Sequence, residues 1–110
     1  MTPFLFPVTT PPTELELVKD GNLVRVFTLG DGLVNGYYHW VTLDDTLALW
    51  WEKISSTWIV AFKELLGTNN GFILGPYGED SYPNEIILGW QFSNDTTGIW
   101  EPADINFKTI

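Results

Sequence analysis

The stretch Glu14-Leu15-Glu16-Leu17-Val18-Lys19-Asp20-Gly21-Asn22-Leu23-Val24-Arg25-Val26-Phe27 decides the fold. Polar and apolar residues alternate with period two from Glu14 to Val18, the pattern of a strand with one buried face. Lys19-Asp20-Gly21-Asn22 is a tight turn, because Asp-Gly accepts the positive φ angles of a two-residue hairpin loop. Leu23 to Phe27 alternates again and returns along the first strand. The chain therefore opens its folded part with a β-hairpin.

Working outward from the hairpin, strand signals repeat. Leu29–Gly32 and Val34-Asn35-Gly36 are closely spaced turn signals. Tyr37–Leu43 is rich in aromatic and β-branched residues and reads as a strand. Asp44-Asp45 turns it, Thr46–Trp51 runs back, Glu52–Ser56 is a polar loop, and Thr57–Phe62 completes an antiparallel meander. Lys63–Leu66 has room for one helical turn before Gly67–Gly71 stops it. Gly71–Leu74 and Glu85–Phe92 read as strands, with Gly75–Pro83 a polar loop between them and Ser93–Gly98 a turn. Ile99–Trp100 and Asp104–Phe107 read as short closing strands. No window holds a 3.6-residue apolar period over ten residues. About eight short strands with frequent turns predict an all-β fold, a small antiparallel barrel or sandwich.

Alternation nominates Leu15, Leu17, Leu23, Phe27, Trp40, Leu49, Trp51, Trp58, Val60, Phe62, Ile73, Ile87 and Trp90 as inward-facing. Of the neighbours Trp50 and Trp51, one is expected inside and the other more exposed, because adjacent strand residues point to opposite faces.

Residues 1–13 differ in kind. They carry four Pro and four Thr, which forbid a helix and favour extended backbone. Phe4, Leu5, Phe6 and Val8 make this arm apolar, unlike a solvated linker. The expected organisation is an extended Pro-rich arm, 1–13, followed by a single β domain, 14–110. The arm either lies on its own domain or reaches a neighbouring subunit.

The whole chain has 110 residues, a length suited to one core. It has no Cys and one His, which excludes disulfide scaffolds, zinc knuckles, thiol catalysis and multi-histidine metal sites. Five basic against 14 acidic residues give a net charge of −9. That balance argues against nucleic acid and anionic membranes as partners; the acids are scattered rather than arranged in rows, so mimicry of DNA ranks low. The N-terminus lacks a basic region followed by an apolar one, so it does not read as a secretory signal. The chain is expected to be made in a cytosol or to be a mature form, and Met1 favours the former.

The chemistry-bearing residues have bland alternatives. Asp44-Asp45 and Glu79-Asp80 are adjacent carboxylates of the kind used in acid–base catalysis, but both sit in turns where Asp is favoured anyway. Asp31, Asn35 and Gly36 fit three positions of a calcium loop, while Leu33 and Thr42 break it. His39 lies between Tyr38 and Trp40 with no nucleophile motif nearby. Asn94-Asp95-Thr96 matches a glycosylation sequon and reads as a turn. No catalytic residue, metal ligand or cofactor is assigned on these grounds.

Six Trp, seven Phe and four Tyr are the real excess. Three uses are open, in this order: core filling, a subunit interface, and a platform for sugar rings. Trp50, Tyr77, Tyr82 and Trp100 lie near turns and are the candidates for a glycan or interface surface.

The order Asn35-Gly36-x-Tyr38, Leu49-Trp50-Trp51-Glu52, Ser56-Thr57-Trp58-Ile59-Val60, Pro83, Gly89-Trp90 and Trp100-Glu101-Pro102 resembles a small Trp-rich β module of tailed-bacteriophage structural proteins. The module also recurs in some modular proteins of aquatic microbes. The resemblance spans about Asp31 to Pro102. It departs from the pattern at Trp58-Ile59-Val60, where Ile comes one position early. The resemblance implies a non-enzymatic role in a virion: a capsid decoration (cement) protein or a small tail or fibre component, made in the host cytoplasm. Its implied partners are other virion proteins and further copies of itself. The alternative is a carbohydrate-binding module whose partner is a host glycan; a small enzyme using loop carboxylates ranks behind both.

Overall fold

A computed structural model of the chain describes residues 11–68, 70–77, 81–93 and 99–109. These residues form nine antiparallel strands: β1 (Glu14–Lys19), β2 (Asn22–Leu29), β3 (Trp40–Thr42), β4 (Leu47–Glu52), β5 (Thr57–Phe62), β6 (Ile73–Leu74), β7 (Gln91–Ser93), β8 (Trp100–Pro102) and β9 (Ile105–Thr109). Two single 3₁₀ turns, Lys63–Leu65 and Pro83–Glu85, are the helical content of the described residues. All nine strands belong to one sheet in the order β8-β7-β6-β5-β4-β3-β2-β1-β9. The sheet curls on itself as a half-barrel, because β9 returns to β1 and so places the last strand beside the first. The all-β expectation holds. Residues Phe4, Leu5, Phe6 and Val8 of the arm lie outside the described residues.

Turn chemistry sets the meander. Asp20 and Gly21 take φ of 54° and 80°, the left-handed pair that the hairpin demands. Asn35 and Gly36 repeat the device at 56° and 84°, closing an isolated bridge between Val34 and Tyr37. That bridge occupies Tyr37, so the strand expected over Tyr37–Leu43 shrinks to Trp40–Thr42. The Thr42 hydroxyl then builds the β3–β4 turn, accepting from the N–H groups of Thr46 (3.2 Å) and Leu47 (3.0 Å) and donating to Asp44 (2.7 Å).

The concave face carries the main core. Leu15, Leu17, Phe27, Trp40, Leu49, Trp51, Trp58, Val60, Ile73 and Trp90 are buried there, as alternation predicts, joined by Tyr37, Tyr82, Ile86, Ile105 and Phe107. Trp58 is the hub, with ring centroids 5.4 Å from Trp51 and 5.7 Å from Trp40 in edge-to-face geometry. Trp90 and Phe107 meet at 4.9 Å, bracing β9 against the loop before β7.

Three inward assignments are corrected. Leu23 is exposed because β2 carries a bulge: Leu17 pairs with Arg25 but Val18 pairs with Leu23, leaving Val24 as the extra residue. One inserted residue moves Leu23 to the face of Val18, opposite Leu15 and Leu17. Phe62 keeps its expected face but ends β5 at the rim, where it stays half exposed and edges against Phe72 at 6.0 Å. Ile87 is exposed because Glu85–Phe92 is not one strand. Pro83 starts a 3₁₀ turn, and only Gln91–Ser93 pairs.

Trp50 and Trp51 are both buried, against the expectation that one would be exposed. Trp51 faces the concave core. Trp50 faces the convex side with Ala48, Ile59 and Ala61, where Val34, Leu65, Leu66, Phe72 and Leu74 cover it. The β5–β6 connection thus makes a second, smaller core, and β4 and β5 are buried on both faces.

Candidate functional site

Four indole N–H groups are committed to backbone carbonyls. Trp40 donates to Pro12 (2.8 Å), Trp50 to Thr68 (3.1 Å), Trp58 to Ser81 (2.8 Å) and Trp90 to Ile86 (2.9 Å). Each ring fills core while its polar edge fastens a loop or the base of the arm, which satisfies the indole in a dry site. Much of the tryptophan excess is therefore structural.

The four aromatic candidates separate accordingly. Trp50 is fully buried and Tyr82 is 4% exposed, packed against Trp40 at 6.4 Å, so neither presents a surface to a sugar ring. Tyr77 stands out at 81% exposure and Trp100 at 36%. Leu74 pairs with Gln91, so the chain beyond Leu74 runs toward Gly89, where the Gly89 Cα faces Pro76; Trp100 instead pairs with Ser93.

The carboxylates are bound into turns. Asp44 accepts from the Thr42 hydroxyl (2.7 Å), the Thr46 hydroxyl (2.7 Å) and the Thr46 N–H (3.1 Å). These bonds hold its pKa down at about 2. Asp45 pairs with Lys63 at the surface. Glu52, only 3% exposed, accepts from Ser55 N–H and hydroxyl at 2.8 Å each and from Ile54 N–H at 3.1 Å. Burial pushes this carboxyl up; the Ser55 and Ile54 donors, with Lys53 nearby, outweigh it, and its pKa lies below the usual value. Glu79-Asp80 and Asn94-Asp95-Thr96 lie outside the described residues. Asn35, one of the three residues that fit calcium-loop positions, donates its side-chain N–H to Trp51 O at 2.9 Å. His39 is buried against Gly30, and its Nδ1 has no hydrogen-bond partner. Burial lowers its pKa, against the upward pull of the Gly32 backbone and Asp31.

A concave feature open to solvent lies elsewhere. Leu23, Val24, Arg25 and Val26 of β2 and Thr42, Leu43 and Asp44 of the β3–β4 turn line a groove of about 370 Å³. Its walls are mostly apolar, and Leu23, Val24 and Leu43 are exposed at 56%, 40% and 75%. The groove exists because β3 ends early. β3 pairs with Phe27–Leu29 only, so Asn22–Val26 have no strand neighbour on that side among the described residues. Sequence reasoning missed this surface. It placed Leu23 in the core and ran the third strand through Leu43, and neither the bulge nor the early turn has a sharp sequence signal.

No helix among the described residues is long and apolar enough to cross a membrane. Comparison with protein-family models, with curated proteins and with solved structures finds no match.

Proposed function

We propose that this chain is a non-enzymatic structural protein of a bacteriophage virion, a capsid decoration (cement) protein or a small tail or fibre component. In this reading the half-barrel is a rigid body and the apolar arm, through Phe4, Leu5, Phe6 and Val8, joins it to neighbouring subunits. The observation that carries the reading is where apolar and polar groups are spent. Aromatic side chains fill two cores and pin loops, the carboxylates Asp44 and Glu52 hold turns, and large apolar side chains such as Leu43 and Leu88 stand in solvent. Exposed apolar groups on an otherwise well-satisfied surface favour contact with other proteins over chemistry. The resemblance to tailed-phage modules supplies the virion setting.

The test is the native mass of the full chain and of a chain lacking residues 1–10, which leaves the Pro12 contact in place. A discrete oligomer that falls to monomer on truncation is expected. A full chain that stays monomeric and does not co-sediment with phage particles sinks the reading.

The second reading, a carbohydrate-binding module, is favoured by Tyr77, whose ring is almost wholly in solvent. It now rests on Tyr77 and Trp100 alone. Glycan-array binding lost in Tyr77→Ala or Trp100→Ala would establish it.

A further inference from the structure

We propose that the groove between β2 and the β3–β4 turn receives residues 3–8 of a second copy of this chain, added as a short edge strand beside Asn22–Val26. The inference rests on the assembly reading above and names the surface that accepts the arm.

The acceptor comes first. β2 is eight residues long, yet β3 covers only Phe27–Leu29. An uncovered strand edge invites another strand. Here that edge is flanked by exposed Leu23, Val24 and Leu43, which give an incoming chain apolar contact as well as backbone pairing.

The donor fits by parity. In a strand, alternate residues turn their N–H and C=O groups to opposite edges. Pro3 and Pro7 are four apart, so they share an edge with Leu5. Phe4, Phe6 and Val8 share the other. When Phe4, Phe6 and Val8 address β2, both prolines point their missing N–H away from it, and no ladder bond is lost. The same alternation puts the side chains of Phe4, Phe6 and Val8 on one face. The proline-bearing edge faces outward and blocks a further strand, so addition stops after one segment. Residues 2–13 contain no acid or base, so docking brings no charged side chain beside Arg25 and Asp44.

The occupant is a second copy rather than the chain's own arm. Thr13 O accepts from Leu29 N–H at 2.9 Å, and Pro12 O accepts from Trp40 at 2.8 Å. The arm therefore leaves from the far end of β2, roughly 17 Å from Val24 at ~3.4 Å per residue. The arm base continues the β1 side of β2, and β3 fills the opposite edge over Phe27–Leu29, so the chain's own arm would have to cross β3 to reach Val24.

The chain has no Cys, which makes cross-linking a clean test. Full-length Phe6→Cys and Val24→Cys chains carrying different tags are mixed and oxidised with dissolved oxygen and a copper catalyst. A disulfide between the two tags is expected at least tenfold above that formed by Phe6→Cys with Tyr77→Cys. Leu43→Cys is a second acceptor position if Val24→Cys folds poorly. Adding Leu43→Asp to the Val24→Cys chain should abolish the link while leaving the circular dichroism spectrum unchanged. An arm-dependent oligomer in which Phe6→Cys links no better to the groove than to Tyr77→Cys overturns the groove and spares the assembly reading. A link formed only within one doubly substituted chain overturns the second copy as occupant. A monomeric full chain removes this proposal, and removes the assembly reading with it when the chain also fails to co-sediment with phage particles.

Discussion

A buried indole is both a large apolar surface and a polar edge that must be answered, and this chain uses the pair as a fastener. Trp40 shows it best, since its ring sits among Trp58 and Tyr82 while its N–H holds the Pro12 carbonyl. Trp40→Phe keeps most of the ring and withdraws the donor. Urea unfolding should show a loss of about 1–3 kcal/mol, with faster amide exchange at Thr13 and Glu14. Glu52 is the polar counterpart. Its carboxylate organises the β4–β5 turn, and its folded pKa lies below the unfolded value. A depressed carboxylate stabilises the fold above its unfolded pKa, and that contribution is lost as pH falls through the folded one. Glu52→Gln should therefore cost about 1–2 kcal/mol at neutral pH. The gap from the parent chain should begin to narrow as the pH falls below about 4, the ordinary carboxylate range, and close only below the lower folded pKa. His39 acts in a different window. Burial lowers its pKa, so the unfolded chain takes up a proton first, and stability begins to fall below about pH 6.5. In His39→Gln the melting temperature should stay flat across pH 7 to 5, where the parent chain declines.

At the scale of single elements, the turns were readable and the irregularities were not. Asp20-Gly21 and Asn35-Gly36 announce themselves because few residue pairs accept two successive positive φ angles. Gly21→Ala tests that reasoning. No atom lies within 4 Å of the added methyl group, so the loss of about 1 kcal/mol expected in thermal unfolding must come from φ alone. Gly71→Ala should cost more, because there the new carbon runs into Ile59 Cγ2 and meets the Val60 carbonyl at 2.9 Å. Alternation also located the concave core on β1, β4 and β5. It failed at Val24, because a bulge changes the face of every residue beyond it without altering composition. It failed at Trp50, because burial of a strand's second face depends on the β5–β6 connection folding over it. It failed at Glu85–Phe92, where Pro83 diverts the chain into a 3₁₀ turn. The candidate site suffered most from these failures: exposure of Tyr77 and burial of Tyr82 follow from loop placement, and loops carry no period.

Across the whole molecule, one sheet serves both cores. β4 and β5 contribute Trp51 and Trp58 to the concave side and Trp50 and Ile59 to the convex side. Neither cluster can be lost while the other keeps its shape, so unfolding should be two-state. Tryptophan fluorescence and far-ultraviolet circular dichroism are expected to give coincident denaturation curves; separated midpoints would mean the convex cluster melts alone. The pairing of β1 with β9 has a consequence for the order in which the strands are written along the gene. Leu15 faces Thr109 across that ladder, so the first and last strands in chain order lie side by side. A short bridge between them would close the backbone into a ring, and the ring could be cut at the exposed Asp44-Asp45 turn to give a circular permutant with the same neighbours and new ends. In such a permutant the β9–β1 ladder, which in the natural order joins residues nearly the full chain apart, becomes a local hairpin. The architecture therefore depends on which strands adjoin, and much less on which of them comes first.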